Sequence, residues 1–458
     1  MNDSKEFLAT EPIGKLLLKL AIPTVIAQVV NMLYNIVDRI YIGHIPGDGS
    51  LALTGVGVSM PIIMIVSAFA ALIGTGGAPR ASIFMGKGDK KSAEKILGGC
   101  LSLQIVISLV LTFLLYVFGE RLLLAFGASE NTISYAWDYL SIYAAGTVFV
   151  QLTLGTGAFI TAQGFAKYGM ATVLIGALCN IVLDPIFIFG FSMGVKGAAL
   201  ATVLSQAASC MWVISFLSGK KTYLRIRKEN LKIDFRLVLP CVALGLATFV
   251  MQSSESVISV CFNSSLLSYG GDIAVGAMTV LTSVMQFAML PMMGIAQGAQ
   301  PITGYNYGAG NVKRVKKTFR LLLTVCLCYS FVLWGVIMLF PRGFAGIFTS
   351  DAQLIDFTAS ALRIYCAVLC LFGIQTACQM TFVSIGNAVC SIIVAVVRKF
   401  VLLLPLIYIV PRFTQNKTMG VYLAEPVADV IAVSFTAVLF GIMFTKAMKK
   451  LSLSKKGD

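Results

Sequence analysis

GGAPRASIFMGKGDKKSAEK, residues 76–95, returns 222 residues later as GAQPITGYNYGAGNVKRVKK, residues 298–317. Gly76, Pro79, Gly86, Gly88, Lys91 and Lys95 of the first copy stand opposite Gly298, Pro301, Gly308, Gly310, Lys313 and Lys317 of the second. The same offset pairs Phe126 with Phe348, Ile142 and Tyr143 with Ile364 and Tyr365, and Gly164 with Gly386. Self-similarity over so long a period means a duplicated structural unit and two matched lobes. Upstream of each block a carboxylate sits inside an apolar segment, Asp38 in the first copy and Glu255 in the second, each 15 residues after a proline, Pro23 and Pro240.

Composition decides what surrounds those lobes. The 458 residues are 58% hydrophobic and 12% charged, with a mean hydropathy of +0.88, too little polar surface to cover a water-soluble body of this size. The chain is read as an all-α polytopic membrane protein. Apolar stretches long enough to cross a bilayer recur at 15–43, 52–78, 95–118, 132–156, 166–190, 197–218, 237–262, 274–302, 318–340, 354–381, 387–410 and 420–446. These twelve predicted helices fall six to a lobe. The expected organisation is an N-lobe at 1–218, a linker at 219–236, a C-lobe at 237–446 and a tail at 447–458. Prolines within the spans, such as Pro61, Pro185 and Pro405, are tolerated where neighbouring helices re-satisfy the backbone. An even number of helices per unit gives both copies one orientation, a parallel repeat about an axis along the membrane normal.

The net charge of +15 raises nucleic acid as a partner, but its distribution argues otherwise. With the N-terminus and the even-to-odd turns on one side, that side holds 26 of the 35 Lys and Arg, in clusters at 80–95, 220–236, 313–320 and 446–456. The other side holds five: Arg121, Lys196, Arg342, Arg412 and Lys417. By the positive-inside rule both termini are cytoplasmic, so the basic excess is a topology signal and no nucleic-acid partner is expected. No cleaved signal peptide is expected either, since acids precede Lys15 and Lys19 and no small-residue cleavage site follows. The linker GKKTYLRIRKENLKIDFR is expected to lie at the cytoplasmic surface, partly as an amphipathic helix.

Eleven cysteines without a CxxC pair read as small buried thiols. His44 is the only histidine, which excludes a histidine-based metal site or catalytic triad. HExxH, a nucleophile elbow and a cysteine–histidine pair are all missing from the sequence, and no enzymatic activity is expected.

The polar residues inside the spans carry the remaining signal. Gln28, Asn31, Asn35 and Asp38 form one stripe on the first helix, which would not face lipid, and Thr248, Gln252, Glu255 and Ser259 repeat it on the seventh at an offset of 217. A carboxylate at membrane depth is protonated, paired or bound to a cation, and each state can be switched; the alternative is structural pairing with a neighbouring polar helix. Arg39 points about 100° away from Asp38 and is a poor partner. On the fifth helix, CNIVLDPIFIFG places Asn180 and Asp184 one turn apart, with Pro185 freeing a carbonyl. Carboxylate, amide, hydroxyl and loose carbonyl suit a proton, Na+ or another hard cation; a proline kink with a polar patch is the plain alternative. Gln375 and Gln379 share a face of the tenth helix and are candidates to line a cavity. Arg398 and Lys399 lie deep in SIIVAVVRKFVLLLPLIYIVP of the eleventh, to neutralise a buried acid, meet an anionic group, or snorkel. Nineteen Met and 30 Phe would suit a promiscuous pocket, although most must pack or face lipid.

Pro23 with VDRIYIGH at 37–44, the turn PRASIFMGKGDKKSA with its echo PITGYNYGAGNVKRV, and NIVLDPIFIFG together resemble the MATE family, multidrug and toxic compound extrusion transporters, in particular the MepA-like bacterial subgroup. The resemblance covers almost the whole chain. It implies a V-shaped pair of six-helix lobes in the bacterial inner (plasma) membrane. It also implies a monomer without cofactors that exports cationic or amphipathic compounds by antiport with H+ or Na+. It implies a cation-coupling site of Asp38, Asn180, Asp184 and, in GVKGAALATVLSQ, Thr202, with Pro23 as the hinge of the first helix and no metal beyond Na+ there. The substrate cavity is expected between the lobes, lined by Gln28, Asn31, Asn35, Gln252, Glu255, Gln375, Gln379 and Arg398. Relatives with a C-lobe ion site pair the seventh-helix acid with one in helix ten, but IYCAVLCLFGIQTACQMTF has no carboxylate. Glu255 is therefore assigned to attracting a cationic substrate. A lipid-linked saccharide flippase of the same superfamily is the alternative; it would need a strongly basic cavity, to which only Arg363, Arg398 and Lys399 are available.

Overall fold

The computed structural model describes residues 3–47, 49–347 and 351–454. Phe348, one member of the repeat, and residues 455–458 of the expected tail lie outside the described residues. Among the described residues nine helices are long and apolar enough to cross a membrane, and two further spans are bent helix pairs. One of the nine, Phe235–Gly308, runs 74 residues, which as a straight rod would measure roughly 110 Å. It is a hairpin of two helices. Gly271 inside it has φ 64° and ψ −161°, a conformation that breaks a helix and suits glycine. Both ends also return to one neighbour: Cys241 touches Gly76 while Tyr305 touches Gly86 on the same helix. Counted as two, with each bent pair as one, the helices accommodate the twelve expected spans.

Several boundaries differ from the hydropathy reading. The expected turn at 263–273 is helical up to Gly271, because Ser265 and Leu266 are buried against the C-lobe core and tertiary packing overrides a Ser/Gly-rich stretch. The fourth span breaks by 58° at Gly146, between Ile133–Ala145 and Thr147–Ala162, and the tenth breaks by 45° between Ala352–Tyr365 and Leu369–Ser384. These breaks occupy matching positions in the two copies. The linker forms no surface helix beyond a single tight turn at Lys228–Asn230. Its peptide groups are taken instead by the N-lobe: Gln163 Oε1 accepts from Thr222 Oγ1, Tyr223 N and Leu224 N at 2.8–2.9 Å. Glu94, buried, accepts from Arg225 N and pairs with Arg227 at 3.2 Å.

The repeated basic block has a local cause. Gly88 (φ 79°) and Gly310 (φ 70°) end the second and eighth spans in the left-handed region. The next residue then caps the following helix: Asp89 accepts from Ser92 N at 3.0 Å, and Asn311 from Arg314 N at 3.2 Å. Gly76, Gly86 and Gly308 of the block serve packing between lobes, while Gly77 packs within the N-lobe against Phe159 and Cys100. A Cβ on Gly76 would lie 1.9 Å from Cys241 O, on Gly86 2.0 Å from Tyr305 O, and on Gly308 1.9 Å from Ile83 O. Each lobe keeps its own core, around Ile42, Leu115, Tyr139 and Val195 in the first and Phe262, Leu281, Ile407 and Tyr422 in the second. A third cluster, with Leu16, Leu20, Ala296 and Ile302, joins the lobes at the end that carries the basic turns.

Candidate functional site

At the joined end the first span meets the eighth through Thr24 Oγ1, which donates to Gly294 O at 2.7 Å, and Gln28, which donates to Gln297 Oε1 at 3.0 Å. Phe69 and Phe249 stack edge to face across the second and seventh spans, 4.9 Å between centroids. Beyond these residues, toward the end away from the basic turns, Asn31, Gln252 and Glu255 are exposed although they lie within membrane-spanning helices. Gln28 and Gln252 continue the helix faces that touch across the interface at Ala21, Val25 and Gly245. The lobes thus close at one end and leave a polar-walled cleft toward the other.

Behind the N-lobe wall of the cleft lies a nest of oxygens. Asp38 of the first span is buried, and Asn180 and Asp184 of the fifth are fully so. Asn180 Nδ2 donates to Asp184 Oδ1 at 3.1 Å and to Thr202 Oγ1 of the sixth span at 3.5 Å. The carboxyl groups of Asp38 and Asp184 stand within hydrogen-bonding reach of each other. Three oxygens are left without a partner: Asp38 Oδ1, Asn180 Oδ1 and Asp184 Oδ2. Buried polar atoms are ordinarily satisfied, and three orphaned acceptors converging from two helices suit a group that donates a hydrogen bond or carries positive charge. Tyr139, whose hydroxyl is 3.5 Å from Thr202 Oγ1, completes the wall. The sequence reading did not single it out, because an aromatic in an apolar span carries no distinguishing pattern. The fifth span passes into a π-helical turn, Ile186–Gly190, just after Pro185, a distortion frequent at functional sites.

The C-lobe carries a second cluster at the matching place. Arg398, buried, donates from Nε to Asp429 Oδ1 at 2.8 Å and from Nη2 to Glu425 Oε1 at 3.1 Å, with its guanidinium 4.7 Å from the Phe372 ring centroid. Lys399 Nζ lies 2.7 Å from Glu255 Oε1. Arg398 was expected to line the cavity; it is instead held inside the lobe by two acids of the twelfth span. In the sequence Glu425 and Asp429 are marked only by their spacing of four, either side of Pro426, within an apolar segment. Arg398 and Lys399 belong to the π-helical turn Val397–Leu403, which precedes Pro405, whereas the π-helical turn of the fifth span follows Pro185.

The other expected residues are scattered by comparison. Asn35 Nδ2 donates to Asn31 O at 2.6 Å. Gln379 is half-buried and donates to Ser391 Oγ at 2.8 Å, while Gln375 is buried with an unpaired Oε1. Pro23 is buried within an unbroken helix, Ile13–Gly43. No group of three or more His, Cys, Asp or Glu able to hold a metal occurs among the described residues.

Comparison with known proteins gives three further findings. A family model described as MatE matches residues 23–186 and, separately, 247–409, one copy in each half. The multidrug export protein MepA of Staphylococcus haemolyticus is 26% identical over 82% of both chains, and that of Staphylococcus aureus strain NCTC 8325 is 23% identical over 80% of this chain and 81% of the relative. A crystal structure of MATE in the bent conformation superposes with a TM-score of 0.91 at 25% identity, covering 98% of this chain and 99% of the other. An outward-facing multidrug resistance MATE family transporter superposes with a TM-score of 0.90 at 25% identity, covering 97% and 98%.

Proposed function

From the premise that this chain belongs to the MATE family of transporters, we propose that it exports cationic or amphipathic small molecules from the cell in exchange for H+ or Na+. The nest of Asp38, Asn180, Asp184 and Thr202 is the coupling site. The observation that carries this reading is the set of three orphaned buried oxygens, two of them from carboxyl groups without a basic partner. Two adjacent carboxyl groups are held together by a proton or by a hard cation between them. The oxygen-only donor set suits either ion, and neither is expected to demand a cofactor.

The orientation follows from charge. The lobes close at the end bearing the basic turns, which the positive-inside rule assigns to the cytoplasm; both termini are then cytoplasmic and the cleft opens outward. A cation taken up at Asp38 and Asp184 alters what holds the first and fifth spans together, and Pro23 provides a point where the first span can yield, since it lacks the N–H that would tie it one turn back. Substrate bound in the cleft and cation bound in the nest favour different arrangements of the lobes, so each promotes release of the other. The working unit is a monomer in the bacterial plasma membrane. The flippase alternative loses its support, because Arg398 and Lys399 are both engaged by acids.

Asp38→Asn keeps the shape of the site but removes the exchangeable charge. Cells expressing it should accumulate a cationic dye like cells without the transporter, with unchanged protein in the membrane fraction. Dye extrusion at the wild-type rate would refute the assignment of the nest.

A further inference from the structure

Set side by side, the two clusters are one site in two versions. Asp38 and Glu255 are repeat partners at an offset of 217, and Thr202 and Glu425 stand 223 apart on the sixth and twelfth spans. Arg398 and Lys399 lie on the eleventh span, the repeat partner of the fifth, four and seven residues before the positions that answer to Asn180 and Asp184. The N-lobe version has acids and no base. The C-lobe version has three carboxyl groups, Glu255, Glu425 and Asp429, against two bases, so in ionised form it carries one uncompensated negative charge. Arg398 is fixed by Glu425 and Asp429 together. The Lys399–Glu255 pair is of another kind: the ammonium is buried, its side chain 6% exposed, while the carboxylate is 55% exposed in the cleft.

We propose that Lys399 is a tethered counter-ion that occupies Glu255 in the empty transporter and yields it to an entering organic monocation. The proposal rests on the cation-export reading and specifies its substrate side. Glu255 is reachable from the cleft, so an incoming cation meets it without entering the lobe. Lys399 does not lose all compensation on letting go, because it lies within electrostatic range of Glu425 and thus of the triad with net negative charge. One added positive charge brings the whole cluster to neutrality. A buried cation facing an exposed anion therefore sets both the charge preference of the cleft and a brake on affinity, which favours release. In the C-lobe a lysine side chain fills the part that an exchangeable ion plays in the N-lobe.

Binding of tetraphenylphosphonium to purified protein in detergent, at fixed pH and salt, tests this independently of transport. Lys399→Met fills the buried space without charge and leaves the exposed Glu255 without its partner; Lys399→Gln carries the same expectation if the apolar variant does not fold. The expected result is a Kd lowered by about fivefold or more, the effect of removing a competing half-exposed ion pair, with the gain abolished in the Glu255→Gln/Lys399→Met double variant. Affinity equal to or weaker than wild type in the neutral variants, or a gain that survives in the double variant, overturns the proposal alone. No binding by wild type or any neutral variant overturns it together with the cation-export reading.

Discussion

Asp38 and Asp184 were both legible in the sequence as acids in apolar helices, and Asn180 by its spacing of four from Asp184. Their convergence was not, since it depends on how the first, fifth and sixth spans are rotated against one another. The same limit hid Glu425 and Asp429, whose meaning comes from Arg398 across a helix interface. A residue outside the membrane shows the electrostatics in simpler form. Bonds from Ser92 at the start of the third span hold the Asp89 carboxyl below its usual range. A lowered folded value means the cap's stabilisation is present above the ordinary carboxylate range and lost as pH falls through the folded value. Asp89→Ala should cost about 1 kcal/mol at neutral pH and less in acid, measured as the gap in thermal unfolding temperature between the two proteins across pH 3–7. A gap independent of pH would show that the carboxylate charge contributes nothing.

Element boundaries were legible wherever turn chemistry marked them, as at Gly88–Asp89 and Gly310–Asn311, and obscure where packing overrode it, as at 263–270. The linker illustrates a side chain deciding backbone structure: Gln163 takes two consecutive peptide N–H groups that a helix would have needed internally. The duplicated glycines mattered for a reason the repeat alone did not give, since they let helices of opposite lobes touch backbone to backbone. Gly76→Ala places a methyl 1.9 Å from Cys241 O, and the helices must part. Overpacking of this kind costs about 1–3 kcal/mol, enough to move a balanced equilibrium away from the closed end by roughly 5- to 150-fold. Labelling of Cys241, fully buried at this interface, by a small maleimide should rise accordingly in a variant whose other cysteines are replaced. Unchanged labelling would mean that the second and seventh spans do not form the contact described.

At the scale of the molecule, duplication gave two lobes with one plan, and hydropathy with charge asymmetry was enough to read that plan from sequence. The duplication itself places a substrate site between the lobes, but which polar residues are exposed there depends on how the first and seventh spans are rotated and separated. Divergence between the copies is what joins structure to function: one cluster gathers Asp38 and Asp184 without a basic partner, and its twin pairs its acids with Arg398 and Lys399. If coupling resides in the first, ion and substrate must exchange reciprocally. The most direct test is ion movement in proteoliposomes driven by a substrate gradient alone, followed with a pH indicator and with a Na+ indicator. Wild type should move H+ or Na+ against the direction of tetraphenylphosphonium flux, and Asp184→Asn should move neither while still binding the compound. Substrate-driven ion movement at the wild-type rate in an Asp38→Asn/Asp184→Asn double variant would contradict the account.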